Sequence, residues 1–245
     1  MFDHVTLRVA DLTAATSAFT AILNELEIAQ TSHTPSFSVW GNFALTRTDE
    51  EHPIARRAHV AFIAPMPVHV DRFARAGVDA GLADDPPAGP RPDYADDRYA
   101  AVLKDGAGNS IEAVHRPGER PRGNIDHVAI AVKNVEASTA FYSTISAAAG
   151  LAIWRQTADC TAISLGAAGG SLVVAAGQAT QNVHLAFSGD RDDVRRFHAN
   201  ATAAGYRSNG EPGERPRYHD GYYAAYVLDP DGNNIEVVSH GRTAP

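Results

Sequence analysis

Asp105-Gly-Ala-Gly-Asn-Ser-Ile-Glu112 and Asp229-Pro-Asp-Gly-Asn-Asn-Ile-Glu236 are two copies of one segment, placed 124 residues apart. The openings of the copies match as well, since Asp3-His4-Val5 corresponds to Asp126-His127-Val128. Self-similarity at a fixed spacing indicates a duplicated architecture. We therefore predict two homologous domains joined by a linker rich in Pro, Gly and charge. Their boundaries are 1–116 and 124–245, with the linker over 117–123.

The composition is that of an ordinary globular protein. Of the 245 residues, 44% are apolar and 20% charged, with a formal net charge of −8. No run of Lys or Arg is present, so we expect no nucleic-acid partner. No stretch approaches the roughly 18 apolar residues of a membrane span, and the N-terminus does not resemble a secretory signal. Because Cys160 is the single cysteine, no intrachain disulfide can form. These features favour a cytoplasmic location.

Each half repeats one further pattern internally. A short strand is followed by a helical pattern and then by more short strands, and the cycle occurs twice per half. Phe19, Ile22 and Leu23 illustrate the helical spacing in the first cycle. The sequence therefore predicts an α+β fold of four β-α-β-β-β modules. Three glycines that follow helical patterns are expected to cap helix C-termini: Gly77, Gly150 and Gly205.

A histidine opens the first strand of every module. On the first of these strands, Val5, Leu7 and Val9 share one face, and His4 lies on the other. The other three modules repeat this arrangement, with mostly small or polar neighbours beside the histidine. This composition is typical of a cavity wall. The four histidines are His4, His59, His127 and His184.

A glutamate follows in an apolar strand near the end of each half. An unpaired buried carboxylate is energetically expensive, so Glu112 and Glu236 must face a partner or water. Two neutral imidazoles and one carboxylate form a site for a divalent metal that leaves ligand positions open. Grouping by halves predicts two such sites. They are His4, His59 and Glu112 in the N-terminal half, and His127, His184 and Glu236 in the C-terminal half.

With these motifs the sequence resembles the vicinal oxygen chelate superfamily. That group includes glyoxalase I, bleomycin-resistance-type binding proteins, fosfomycin-resistance thiol transferases, methylmalonyl-CoA epimerase and extradiol ring-cleaving dioxygenases. The run from Tyr222 to Glu236 is typical of its closing strands. The resemblance implies two tandem domains, built from paired modules that form U-shaped mixed sheets around a metal.

The resemblance also bears on the reaction. Glyoxalase I carries a further Glu or Gln as a metal ligand, but the matching stretches 42–46 and 171–175 contain neither. Three protein ligands are typical of the extradiol dioxygenases, which use Fe(II), and of the fosfomycin-type transferases. The order His219, Tyr226, Asp229-Pro-Asp-Gly232 and Glu236 follows an extradiol signature, although Ala225 departs from it.

We therefore expect a metal-dependent enzyme whose small substrate chelates the metal through two adjacent oxygens, as a catechol does. Fe(II) is the expected metal, with Mn, Ni and Zn as alternatives. The resemblance implies that Tyr226 binds the substrate oxygens and that His219 donates or accepts a proton. Tyr222, Arg155 and Arg8 are candidate substrate contacts.

Two alternatives stay open, namely a glyoxalase-like isomerase, lyase or thiol transferase, and a non-catalytic protein that sequesters a drug or metabolite. The sequence also leaves a homodimer open. If one site alone is active, we expect the C-terminal one, because Tyr226 and Tyr222 correspond to Val102 and Arg98 in the first half.

Overall fold

The computed structural model describes residues 1–92, 97–118, 122–166 and 169–241. Part of the predicted linker, residues 119–121, lies outside these ranges.

Four modules of strands around a helix follow one another along the chain, as predicted. The first contains β1 (Phe2–Val9), α1 (Leu12–Asn24), β2 (Ser32–His33), β3 (Phe37–Trp40) and β4 (Phe43–Arg47). The second contains β5 (Ala58–Ile63), α2 (Pro67–Asp79), β6 (Ala83–Asp84), β7 (Gly89–Pro90), β8 (Tyr99–Lys104) and β9 (Ser110–His115). The third contains β10 (Ile125–Val132), α3 (Val135–Ala149), β11 (Ala152–Gln156), β12 (Cys160–Ser164) and β13 (Ser171–Ala176). The fourth contains β14 (His184–Ser188), α4 (Arg191–Ala203), β15 (Ser208–Glu214), β16 (Tyr223–Leu228) and β17 (Asn234–Ser239).

Two mixed sheets are formed, and each takes strands from both halves of the chain. The first sheet has the order β15-β16-β17-β14-β1-β4-β3-β2, so it joins the fourth module to the first. The second has the order β11-β12-β13-β10-β5-β9-β8-β6, with β7 also paired to β8, and joins the third module to the second. The central pairs, β1 with β14 and β10 with β5, are antiparallel. The repeat halves 1–116 and 124–245 are therefore units of sequence that share both sheets.

Short polar side chains cap the N-termini of α1 and α3. Asp11 and Asn134 each accept a hydrogen bond from a backbone N–H in the first turn of α1 and α3. Gly150 ends α3 in the left-handed conformation, which confirms its predicted role as a cap. The same expectation for Gly77 was wrong. Gly77 lies inside α2, where a side chain would collide with Leu103 of β8.

The helices pack in pairs between the sheets, α1 against α2 and α3 against α4. The apolar strand faces point into this core. Val5, Leu7 and Val9 of β1 are buried, whereas His4 and its neighbours on the other face are half-buried, as predicted. The polar face of each sheet is thereby free for a site. No helix in the described ranges is long and apolar enough to cross a membrane.

Candidate metal centres

Three side chains converge in the first sheet to form what we call site one: His4, His184 and Glu236. The Nε2 atoms of the two imidazoles lie 3.1 Å apart. The Oε2 atom of Glu236 is 2.9 Å from Nε2 of His184 and 3.5 Å from Nε2 of His4. Glu236 is 1% exposed, which places its carboxylate out of water. This donor set fits a divalent ion with open ligand positions.

The second sheet carries an equivalent group, which we call site two: His59, His127 and Glu112. The Oε2 atom of Glu112 lies 2.8 Å from Nε2 of His59 and 3.4 Å from Nε2 of His127. The imidazole pairs stack alike, with ring centroids 5.2 Å apart in site two and 5.1 Å apart in site one. In each group the ligand atoms lie within 4.8 Å of one another.

The structure groups the six residues differently from the prediction by halves, which was wrong on this point. His4 belongs with His184 and Glu236, and His127 belongs with His59 and Glu112. The reason is the strand order, because β1 pairs with β14 rather than with β5. Both groups are complete within one chain, so no second copy is required to supply a ligand.

Strand register explains why the ligands meet. His4 lies directly opposite Ala186, and Ala186 lies opposite Glu236 on the next strand. The small side chain between the histidine and the glutamate leaves space where an ion can sit. Ala61 holds the same position in site two, between His127 and Glu112.

Further polar contacts hold the ligands of site one in place. Nδ1 of His4 is 2.9 Å from Oδ1 of Asp3, and the side-chain amide of Asn234 contacts Nδ1 of His184 at 2.6 Å. The Tyr222 hydroxyl donates to Oε1 of Glu236 at 2.7 Å. Such outer contacts fix ring orientation and tune the metal.

Burial and the neighbouring polar groups together set the charge state of these ligands. Burial lowers the pKa of His184 and so favours the neutral ring that a metal requires. Burial alone would raise the pKa of Glu236, but the hydrogen bonds from His184 and Tyr222 and the positive charge of His4 outweigh burial and leave this pKa lowered. For His4, the hydrogen bond to Asp3 and the charge of Glu236 outweigh burial and raise the pKa.

Site two has different outer partners. Asp126 is 2.9 Å from Nδ1 of His127, as Asp3 is from His4. However, Nη2 of Arg98 donates to Oε1 of Glu112 at 2.7 Å, where site one has the neutral Tyr222. Arg116 forms a 2.7 Å ion pair with Asp126. Sequence reasoning missed both aspartates, although each precedes a repeated histidine.

Site one opens onto a cavity of about 750 Å³. Tyr226 lines it with a ring centroid 6.2 Å from that of His184. The Tyr226 hydroxyl is buried and has no hydrogen-bond partner among the described residues. Burial, followed by the charge of Glu236, raises the pKa of Tyr226, so it remains a hydroxyl donor at neutral pH. An unused donor beside the ligands suits a bound substrate.

The other predicted substrate contacts differ in position. Tyr222, Arg8 and His219 line the cavity, and His219 is exposed, with Nε2 2.9 Å from Nδ1 of His240. Arg155 does not line it. Arg155 is exposed on β11, an edge strand of the other sheet, because the third module belongs to site two. The structure therefore does not bring Arg155 to this cavity.

The strand that would carry a fourth protein ligand offers none. Phe43, Ala44 and Thr46 are the residues of β4 that line the cavity, and none of them has a carboxylate or a carboxamide. This agrees with the three-ligand set expected from the sequence.

Comparison with known proteins identifies a matching family and similar solved structures. Residues 124–237 match the model of the Glyoxalase/Bleomycin resistance protein/Dioxygenase superfamily. No curated protein matches the sequence. Among solved structures, glyoxalase I from Zea mays is similar, with a TM-score of 0.67 at 18% identity, over 98% of this chain and 92% of that one. A putative dioxygenase from Bacillus subtilis subsp. subtilis str. 168 has a TM-score of 0.68 at 13% identity, over 98% of this chain and 85% of that one.

Residues 124–237 thus belong to the Glyoxalase/Bleomycin resistance protein/Dioxygenase superfamily, and the described part of the chain forms four modules in two mixed sheets. At these identities the solved structures bear on the fold alone.

Proposed function

We propose that site one is the active site of a divalent-metal-dependent enzyme that opens the ring of a catechol-like substrate in the manner of the extradiol dioxygenases. The observation that carries this proposal is a set of three protein ligands, with no fourth ligand on β4, facing a cavity that contains the unpartnered Tyr226 hydroxyl. A site with three protein ligands leaves room for two substrate oxygens and O₂.

Fe(II) held by His4, His184 and Glu236 would supply the oxygen chemistry and a Lewis acid for the substrate. The protein positions the substrate around that centre. Tyr226 donates a hydrogen bond to a substrate oxygen, and Tyr222 fixes the carboxylate of Glu236. A buried donor of this kind costs no reorganisation during the reaction.

Arg8 extends the recognition surface along β1, on the same strand face as His4. Within the described ranges, no carboxylate lies within 4 Å of its guanidinium as an ion-pair partner. We propose that Arg8 binds an anionic group on the substrate, such as a ring carboxylate. A charge-assisted hydrogen bond of this type also fixes orientation.

His219 provides proton transfer at the cavity. Its ring is exposed to solvent on one side and is bonded to His240 on the other. An imidazole that lines the cavity and also reaches solvent is suited to exchange protons with the substrate.

The test is oxygen uptake by protein reconstituted with Fe(II) under anaerobic conditions and then exposed to air and catechols. We expect oxygen consumption and a ring-opened product, with faster turnover of a catechol carboxylate than of catechol itself. Turnover without oxygen consumption, supported by Mn, Ni or Zn, would support the isomerase or transferase alternative. Tight ligand binding without any metal would support a sequestering protein.

Tyr226→Phe separates the chemistry from the fold. We expect a loss of turnover of about tenfold or more, because removing one catalytic hydrogen-bond donor costs on that order or beyond. Tyr218→Phe is the matched control, since Tyr218 also lines the cavity but is exposed and its ring does not approach His184. Equal activity of the two variants would contradict the role of Tyr226.

A further inference from the structure

Site one and site two have nearly identical ligand geometry, but the residue that donates to the ligand carboxylate is neutral in site one and cationic in site two. The Glu236 carboxylate accepts a hydrogen bond from the neutral Tyr222, whereas the Glu112 carboxylate accepts one from the cationic Arg98. Both donors bind Oε1, and both leave Oε2 facing the imidazoles. The two sites therefore form an internal comparison in which the ligand types are the same and the outer residues differ.

The second outer position differs in the same direction. Asp3 of site one accepts from the His240 ring at 2.7 Å, whereas Asp126 of site two is paired with the Arg116 guanidinium at 2.7 Å. His240 and Arg116 are equivalent in the repeat, as Tyr222 and Arg98 are. Site two thus has two fixed positive charges where site one has a phenol and an imidazole.

Burial makes the nearer charge effective. The side chain of Arg98 is 17% exposed and that of Glu112 is 6% exposed, so water screens their interaction weakly. A guanidinium stays protonated at all ordinary pH values. It satisfies the Glu112 carboxylate in the absence of a metal, and it repels any cation bound by the same carboxylate.

We infer that site two binds divalent metal at least tenfold more weakly than site one, because Arg98 neutralises Glu112 from within the protein. The chain then carries one tightly bound metal, at site one, when metal is limiting. Site two is held together by its own ion pairs. This inference concerns metal affinity alone, and it stands whether or not the proposed dioxygenase activity is correct.

Titration calorimetry with Co(II), in the absence of substrate, tests the inference. His59→Ala disrupts site two and leaves site one intact, whereas His184→Ala disrupts site one and leaves site two intact. We expect the dissociation constant of the His184→Ala protein to be at least ten times that of the His59→Ala protein. Equal dissociation constants in the two variants, or tighter binding at site two, would overturn the inference.

A reciprocal exchange identifies the residue responsible. In the His184→Ala background, Arg98→Tyr should tighten Co(II) binding about tenfold. In the His59→Ala background, Tyr222→Arg should weaken it by a similar factor. Arg155→Tyr is the control in the His184→Ala background. It replaces the same residue type at an exposed position on the same sheet as site two, and it should leave Co(II) affinity unchanged.

A second variant protects the test against loss of fold. Arg98→Gln keeps a hydrogen-bond donor of moderate size while removing the charge, and circular dichroism verifies that each variant is folded. The comparison is with the His184→Ala protein that retains Arg98. If folded Arg98→Gln and Arg98→Tyr variants of it bind Co(II) at site two equally weakly, the charge of Arg98 is not the cause and the inference fails.

Discussion

His4 and His184 are separated by 180 residues in the chain, yet their Nε2 atoms lie 3.1 Å apart and their rings stack with centroids 5.1 Å apart. The antiparallel pairing of β1 with β14 produces this contact. A site that joins the first and the fourth module depends on both halves of the chain, and so does its partner in the second sheet.

The pairing of modules predicts which histidines act together. His4→Ala should lower kcat/KM as severely as His184→Ala, because both remove a ligand from site one. We expect kcat/KM to fall at least ~100-fold, because mutation of the residues that merely support a metal ligand already costs up to about that factor. The measurement is oxygen uptake with catechol, together with the metal content of the purified variants.

His127→Ala is the control, since His127 belongs to site two. It should keep most of the activity. If His127→Ala were inactive and His4→Ala active, the ligands would be grouped by halves of the chain and the structural grouping would be contradicted.

Ala186 should be intolerant of larger side chains. A leucine at this position would project between His4 and Glu236, into the space left for the ion. We expect Ala186→Leu to lose metal from site one and to lower the free energy of unfolding by about 1–3 kcal/mol, as overpacking does. Ala61→Leu makes the same change in site two and should leave site-one metal in place. Metal analysis and urea unfolding measure the two effects. Retention of site-one metal in Ala186→Leu would show that the ion does not occupy the space beside Ala186.

The metal-free protein should become less stable as pH rises above 6.5. Burial alone would lower the pKa of His127, but hydrogen bonds to Asp126 and Glu112 outweigh it and raise this pKa above 6.5 in the folded state. The folded protein then binds a proton that the unfolded chain releases, so this stabilisation is complete below pH 6.5 and is lost as pH rises through the folded pKa.

Asp126→Asn tests this linkage by urea unfolding with a chelator present. The slope of unfolding free energy against pH between 6.5 and 8.5 should be shallower than in the unmodified protein, whereas Asp159→Asn, at an exposed turn, should not alter it. Metal affinity should show the opposite trend and increase with pH, because metal binding requires neutral imidazoles. An unchanged slope in Asp126→Asn would remove His127 as the source.

Gly77→Ala should destabilise the protein although alanine is the better helix former. In an open helix the change is worth about 1 kcal/mol of added stability. Here a Cβ would lie 2.9 Å from Cγ of the buried Leu103 and closer still to its methyl carbons, so overpacking of about 1–3 kcal/mol should dominate. Gly106→Ala, which meets no atom within 4 Å, should shift thermal unfolding little. Higher stability of Gly77→Ala would show that Leu103 moves aside without cost.

The repeat and the strand faces were sufficient to predict the modules and to select six side chains that converge. Alternation along β1 separated His4 from the buried Val5 and Leu7, and this face assignment needs only local sequence. The helix ends were harder to predict from the sequence. Gly150 was correctly predicted as a cap, but Gly77 serves close packing, which no local pattern reveals.

The partner of each module could not be predicted, because the four histidine strands have similar patterns. β1 could in principle pair with β5 or with β14, and the choice depends on packing across the whole chain. This ambiguity produced the wrong grouping of His4 with His59, and it also placed Arg155 at the wrong site. The exchange of Tyr222 for Arg98 was visible in the sequence, but its contact with a metal-ligand carboxylate required the structure.

The pairing of the first module with the fourth and of the second with the third also suggests how the chain evolved. A protein of half this length could build the same two centres by association of two identical copies around a two-fold axis, and in that arrangement both centres would be obliged to use the same residues. Covalent fusion removes the obligation, since a change in one copy no longer appears in the other. Arg98 and Tyr222 occupy equivalent positions in the two copies, and this difference could not arise between two identical chains.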